Sequence, residues 1–334
     1  MATIKDIALK ANVSTATVSA VINSSAYVSP ALKDRVTRAL SEVDYHPDEV
    51  ARSLKKKRTK TLGVIISDIT NPFFTAVVRG VEDAANSVGY AVMLCNTDES
   101  AEKEAVYIRI LKTRRIDGVI LATASVGESY SEKFERYGIP VVFVNRVPSE
   151  PCIDAVVLNN FSGSFEAVSY LCELGHTRIG VITGLSNKST TIERLKGYKE
   201  ALLARGLTVE EELIRKSDSR TNGGYENALE LLKLENRPSA IFVTNNLMTV
   251  GAMKAVIESG LGCPSDISIV GFDDFDWANV FSPRLTTVSQ PTYEMGKLSV
   301  ELLVEKIEGK TTEEPRKITL EPKLIIRESC AKLS

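Results

Sequence analysis

Polar side chains gather at the ends of apolar runs at six places: residues 68–74 (DITNPFF), Thr123, Asn145-Arg146, residues 183–189 (TGLSNKS), Asn245-Asn246 and Asp273-Asp274. Carboxamides and hydroxyls of this kind hydrogen-bond a polyhydroxylated or otherwise polar small molecule. The Phe73-Phe74 pair offers a ring face to stack on, and Arg194 and Asp273 offer charged anchors. Each residue taken alone could equally cap the helix that follows it. The chemistry is that of binding rather than turnover. There are two histidines, His46 and His176, and neither lies near a nucleophile and a partner acid in sequence. No GxxxxGK[ST] loop and no GxGxxG after a strand is present to cradle phosphates, and no Cys, His or Asp cluster has metal-ligand spacing. Neither a catalytic residue, a metal nor a cofactor is expected.

The elements that must position those residues alternate regularly from Thr61 onward. LGVIISD, YAVMLCN, DGVILAT and PVVFVN read as buried strands separated by helical stretches. The pattern restarts after a short strand near 155–158, with strands IGVIT, AIFVT and ISIVGFD among helices at about 162–175, 191–205, 223–234 and 247–259. Continuous apolar strands alternating with helices predict parallel sheets covered on both faces, and two successive sets predict two α/β lobes. In such sheets a ligand sits beyond the carboxyl ends of the strands, which is where the polar clusters fall.

The first sixty residues are different in character. In TIKDIALKANVSTATVSAVIN, residues 3–23, Ile4, Ile7, Ala8 and Ala11 recur at i, i+3, i+4 and i+7, and Val18, Val21 and Ile22 begin the pattern again. Thr3, with Asp6 three residues on, and Ser14 supply the side-chain oxygens that start the two helices. Asn12-Val13-Ser14 leaves room only for a sharp corner. This is a helix-turn-helix arrangement, whose second helix presents its N-terminal residues to base edges in the major groove. Thr15, Ala16, Ser19, Ala20 and Asn23 face outward and are small or uncharged, so the helix can approach a duplex closely; an ordinary amphipathic helix pair would show the same pattern. Ser29-Pro30 opens a third helix, roughly 31–43, that closes the small domain. After Tyr45-His46-Pro47 comes DEVARSLKKKRTK, a segment of about nine helical residues that is marginal in water by itself.

Charge separates the two parts. Residues 1–60 carry 11 Lys and Arg against 6 Asp and Glu; the chain totals of 41 and 43 therefore leave 30 against 37 for residues 61–334. A basic N-terminal part suits a polyanionic partner, although a solvated lysine face has the same composition. Five cysteines, an odd number without CxxC spacing, argue against a disulfide framework and for a reducing, cytoplasmic setting. Lys5, Asp6 and Lys10 interrupt any secretory h-region, and no apolar run approaches membrane-spanning length, so no membrane association is expected.

Over nearly its whole length the chain resembles the LacI/GalR family of bacterial repressors. The motifs occur in family order: TIKDIALKANVSTATVSAVIN, VSPALKDRV, YHPDEVARSLK, TLGVIISDITNPFF, RRIDGVILA, LGHTRIGVITG, RLKGYKEAL, NNLMTVGAM, DISIVGFDD and SPRLTTVSQP. The resemblance implies an all-α helix-turn-helix headpiece (1–46), a hinge helix and linker (47–60), and an α/β periplasmic-binding-protein-like effector domain (61–334). That domain would have two doubly wound lobes, about 61–159 with 291–321 and about 160–290 with 322–334, joined by three crossovers near residues 158–160, 290–291 and 321–322. It implies a cytoplasmic homodimer on an inverted-repeat DNA operator, with affinity set by a small-molecule effector such as a sugar, sugar phosphate or similar polar metabolite.

Family base contacts fall on Thr15, Ala16 and Ala20 within a DNA face of Thr3, Ser14, Thr15, Ala16, Thr17, Ser19, Ala20 and Asn23. The family's minor-groove wedge falls on Leu54, beside Ala51 and Lys55. Effector contacts fall on Phe73, Phe74, Arg146, Arg194, Asn245 and Asp273, with Gln290 at a crossover. Ala20 stands where many members carry Arg or His, Asn246 where Asp is usual, Leu158 where Asp is frequent, and Ser219 where some members place a stacking aromatic. Two rival readings are a transport solute-binding protein, which has no use for the N-terminal helices, and an enzyme on a doubly wound fold, which lacks its phosphate and nucleophile motifs here.

Overall fold

The computed structural model describes residues 3–23, 25–43, 58–124, 130–149, 153–310 and 314–333. The chain divides into two compact units, Met1–Thr59 and Lys60–Ser334.

In the first unit α1 (Ile4–Ala11), α2 (Thr15–Asn23) and α3 (Pro30–Ser41) enclose a core of Ile7, Ala8, Ala11, Val18, Val36 and Ala39. The caps expected at Thr3 and Ser14 form, whereas Ser29, also expected to cap, makes no side-chain cap hydrogen bond at the start of α3 and leaves that end to Pro30. Thr3 Oγ1 accepts from the Asp6 amide, and an Asp6 carboxylate oxygen accepts from the Thr3 amide at 2.7 Å. Ser14 Oγ accepts from the Thr17 amide at 3.1 Å. Asn12 ends α1 in the left-handed region, φ 49°. One clamp was not foreseen: Arg35 of α3 reaches the turn and donates to Ala11 O (3.0 and 2.6 Å) and Asn12 O (2.7 Å). Carbonyls left over at a helix end are thereby satisfied by a guanidinium, which fixes the corner between the first two helices.

The second unit holds two six-stranded sheets. The first contains β1 (Thr61–Ile66), β2 (Ala91–Asn96), β3 (Gly118–Leu121), β4 (Val141–Val144), β5 (Ala155–Leu158) and β11 (Lys317–Leu320), in spatial order β11-β5-β4-β3-β1-β2 and parallel throughout. The second contains β6 (Ile179–Thr183), β7 (Ile214–Lys216), β8 (Ala240–Val243), β9 (Ser268–Phe272), β10 (Thr286–Ser289) and β12 (Lys323–Ile325), in order β12-β10-β9-β8-β6-β7, with β12 antiparallel at the edge. In both, strand order reverses beside the first strand of the lobe, the topological switch point where ligands bind in doubly wound sheets.

The chain passes between the lobes three times: after β5, after β10 and between β11 and β12. The first and third passages are tied, since the Asn159 amide donates to Leu320 O (2.8 Å) and Asn159 Nδ2 to both oxygens of Glu321 (3.1 Å each). Strands β7, β10 and β11 and the long helix Thr292–Ile307 were not among the elements read from sequence. That helix puts Met295, Val300, Leu302 and Leu303 into the core of the first lobe, although it follows strands of the second.

Helix packing brings the cleft-bearing helices close. Gly224 and Gly251 each lie against the backbone of the other helix where helices Thr221–Leu232 and Asn246–Glu258 cross: a Cβ on Gly224 would lie 2.4 Å from Met248 O and one on Gly251 2.0 Å from Thr221 O. Only hydrogen side chains allow this approach, which sets where Asn245 enters the cleft.

Candidate functional site

Between the two lobes, beyond the carboxyl ends of the strands, lies a polar cleft enclosing about 40 Å³. Each wall comes from a strand end and the helix after it. After β1 come Asn71, Phe73 and Phe74; after β4, Asn145 and Arg146. The second lobe contributes Gly184, Thr190, Thr191 and Arg194 after β6, Ser219 after β7, Thr244, Asn245 and Met248 after β8, Asp273 after β9 and Gln290 after β10. All seven effector residues expected from the resemblance therefore meet in one place. Thr123, Asn246 and Asp274 do not line it: Thr123 bonds Tyr130 Oη at 2.7 Å, Asn246 Nδ2 donates to Asn71 Oδ1 at 2.9 Å, and Asp274 pairs with Arg327 at 2.8 Å.

Arg194 is buried at the centre. Its guanidinium lies 3.6 Å from the Phe272 ring centroid, donates to Asn160 Oδ1 (2.7 Å) and Thr244 O (2.6 Å), and approaches Asp273 at 3.9 Å. Burial pulls the Arg194 pKa down to about 10, against the opposing pull of Asp273. Burial pushes Asp273 up, and Arg194 and the Gln290 amide only partly offset it. Gln290 Nε2 donates to Asp273 Oδ1, so the residue at the second passage between lobes is bonded to the buried ion pair. Across the cleft Arg146 Nη1 donates to both oxygens of Glu99 (2.8 and 2.6 Å) and to Ser67 Oγ (2.9 Å).

Three lining residues other than glycine hold positive φ: Asn145 at 64°, Ser219 at 68° and Asp273 at 73°. Such conformations cost of order 1–3 kcal/mol each and persist where surrounding structure imposes them, as at binding sites. Buried polar atoms without a partner among the described residues also collect here: Asn145 Oδ1, Arg146 Nε and Gln290 Oε1. Two acceptors and one donor are thus left on the cleft wall, each a desolvated group awaiting a complement.

In the headpiece, Thr15 and Ala16 are exposed and Thr17, Ser19 and Ala20 half-buried along one side of α2, with Thr3 and Ser14 exposed at the helix starts. Asn23 ends α2. The expected hinge contacts Ala51, Leu54 and Lys55 lie outside the described residues.

Comparison with known proteins decides between the readings. Residues 3–48 match the family described as bacterial regulatory proteins, lacI family, and residues 59–328 match the periplasmic binding proteins and sugar binding domain of LacI family. The chain belongs to the LacI family. The HTH-type transcriptional repressor PurR of Photobacterium profundum is 37% identical over 335 residues, covering 100% of both chains. Among solved structures, the Lac repressor dimer bound to operator and the anti-inducer ONPF is similar with a TM-score of 0.88 at 26% identity, covering 99% of each chain. The transcriptional regulator CelR in complex with cellobiose is similar with a TM-score of 0.76 at 33% identity, covering 98% of this chain and 100% of that one.

A LacI-family chain of this kind is a transcriptional repressor with a DNA-binding headpiece and an effector-binding domain, and its relatives are repressors rather than enzymes. Within that frame, residues that sequence reasoning missed are Thr190, Thr191, Thr244 and Met248, which line the cleft, and Glu99, which holds Arg146. Glu99 lies three residues past the end of β2 in NTDES, so its place after a strand end was the available signal. Among the described residues no group of His, Cys, Asp and Glu could hold a metal ion, and no helix is long and apolar enough to cross a membrane.

Proposed function

We propose that the chain works as a cytoplasmic homodimer on an inverted-repeat operator, and that its effector is an uncharged polyhydroxylated metabolite, a sugar rather than a sugar phosphate. The observation that carries the effector class is the commitment of both cleft guanidiniums to partners already in the protein. Arg194 is engaged by Asn160, Thr244 and Asp273, and Arg146 Nη1 by Glu99 and Ser67. A phosphate entering this cleft would find each guanidinium already facing a carboxylate, Arg194 that of Asp273 and Arg146 that of Glu99. The polar atoms left over, Asn145 Oδ1, Gln290 Oε1 and Arg146 Nε, are two acceptors and a donor. Hydroxyl groups, each donor and acceptor at once, satisfy that set. Phe73 and Phe74, edge to face at 5.1 Å, supply an apolar surface for a ring. Relatives crystallised with cellobiose and with ribose support this class.

DNA control in this reading follows from differential affinity: an effector that prefers one lobe arrangement by ~1–3 kcal/mol shifts operator affinity by the same amount. The proposed contacts are Thr3, Ser14, Thr15, Ala16, Thr17, Ser19, Ala20 and Asn23 in the headpiece, with Ala51, Leu54 and Lys55 in the hinge. Calorimetric titration of the full-length protein with neutral pentoses, hexoses and disaccharides, with their phosphate esters and with nucleobases tests the effector class. A neutral sugar should bind and its phosphate ester should not. Preferential binding of the ester or of a nucleobase overturns the reading. Repeating the titration with palindromic duplexes selected from random sequence shows whether the effector raises or lowers DNA affinity.

A further inference from the structure

Glu99 is in an unusual place. It is not a glycine, asparagine or aspartate, yet it holds φ 63° next to Asp98 at φ 52°, just past β2. Its carboxylate takes Arg146 Nη1 with both oxygens inside the first lobe and lies 3.4 Å from Lys188 Nζ of the second. Lys188 is 4% exposed and also donates to Ala124 O of the first lobe. Ala124 is held in turn, since its amide donates to the buried carboxylate of Glu104 at 2.6 Å. Beside this cluster the Val147 amide donates to Ser189 Oγ (3.2 Å) and, further along, Asn246 Nδ2 donates to Asn71 Oδ1 (2.9 Å), both across the cleft.

We propose that Glu99 is a positioning residue linking the lobes: one carboxylate sets the pose of Arg146 at the cleft and receives Lys188 from the opposite side. Closure of the lobes, to which the Val147–Ser189 and Asn246–Asn71 bonds also contribute, is thereby coupled to the geometry of the effector site through one carboxylate.

The electrostatics are those of a buried cluster in which two cations share one carboxylate. Burial pushes the Glu99 carboxyl up, but Arg146 and then Lys188 outweigh it and hold it below the usual carboxylate value. Burial lowers the Lys188 pKa, and Glu99 opposes that shift while Arg146 adds to it. An ammonium in this position is tolerated only while its carboxylate is beside it, because breaking a buried pair leaves an uncompensated charge. When the lobes part, Lys188 and Glu99 return to water separately, and Arg146 loses the second cation that shares its anchor. Arg146 contributes one of the unpartnered polar atoms of the cleft wall, so a change at Glu99 reaches the effector directly.

The role of Arg146 rests on the effector reading above, but the test uses no effector, so the two can fail separately. Full-length wild type, Lys188→Met, Glu99→Gln, the double variant and Lys188→Arg are compared by small-angle scattering. Hydrogen exchange is read by mass spectrometry over residues 144–149 and 186–192. Lys188→Met and Glu99→Gln should each expand the particle and raise exchange in both segments by roughly tenfold or more, as loss of a buried charge partner frees a sub-global opening. The double variant should exceed Glu99→Gln by little, since both changes remove the same link, and Lys188→Arg should retain protection. Unchanged exchange in a folded Lys188→Met overturns the clasp, and strictly additive effects overturn the shared carboxylate. Should Lys188→Met fail to fold, Glu99→Gln answers the question by the same readout.

Discussion

Replacing Arg194 by Met removes the central cation while keeping a stem that can lie on Phe272. The structure specifies what is lost: a donor at 2.7 Å from Asn160 Oδ1, another at 2.6 Å from Thr244 O, and the cation 3.9 Å from Asp273. Asp273 stays buried with Gln290 Nε2 as its remaining side-chain donor. Removing one member of a buried pair costs about 3–5 kcal/mol, because the other charge is left without compensation. For a unit of this size that corresponds to a fall in melting temperature of roughly 5–9 °C. Asp273→Asn in the same chain deletes the stranded charge, so the double variant should recover roughly 1–3 kcal/mol of the loss. The Asp273 carboxyl, already raised by burial, rises further without Arg194. The folded state then binds the extra proton, so the deficit of the single variant should shrink as pH falls. Thermal unfolding by calorimetry, together with operator binding by gel shift, measures these effects; DNA binding should persist and the effector response should vanish. A single variant within about 1 kcal/mol of wild type, or a double variant no better than Arg194→Met, would show that the Arg194–Asp273 charge pairing is not what organises the cleft.

The remaining expectations are separate from the cleft pair. Arg35→Ala strips three hydrogen bonds from the turn carbonyls of Ala11 and Asn12 and should destabilise the headpiece by about 2–3 kcal/mol, seen as weaker operator binding with the effector domain's melting unchanged. Gly251→Ala forces a Cβ against Thr221 O and should cost about 1–3 kcal/mol or more in thermal stability; an unchanged melting temperature would mean that the two helices can separate freely. His176 is buried against Ser239, Ser268 and Ala331 O, and burial lowers its pKa. The unfolded chain therefore binds the proton first, so stability should decline as pH drops below about 6.5, and His176→Gln should flatten that slope. Leu54→Ala should weaken operator binding while leaving calorimetric effector binding intact; equal operator affinity would remove the wedge assignment.

Most of the architecture was legible because it is written in local patterns. The caps of Thr3 and Ser14 depend on side chains within three residues of the amides they serve, and both formed as expected. Fully apolar strands such as β4 and β8 announce themselves by composition, since burial on both faces leaves no polar position. The same logic explains what was missed. β7 (IRK), β10 (TTVS) and β11 (KITL) are three or four residues long and carry polar side chains, so neither length nor periodicity marks them. Their strand identity comes from neighbours that complete the sheets, far away along the chain.

The candidate site divides along the same line. From the amino-acid order alone came the two-part organisation, the alternation of strands and helices, and the rule that polar groups at strand ends face a ligand, because these follow from spacing over a few residues. Motif resemblance placed seven residues, Phe73 to Gln290, in one pocket, and they meet there. Tertiary structure alone decided which of those groups are already satisfied. That Arg194 is neutralised by Asp273, that Gln290 is bonded to that pair, and that Glu99 receives Lys188 from the facing lobe all depend on side chains between 17 and 89 positions apart. Charge balance in a buried cleft is a property of distance in space, and the intervening strands and helices, with one passage between the lobes in the case of Glu99 and Lys188, separate that distance from any distance along the sequence.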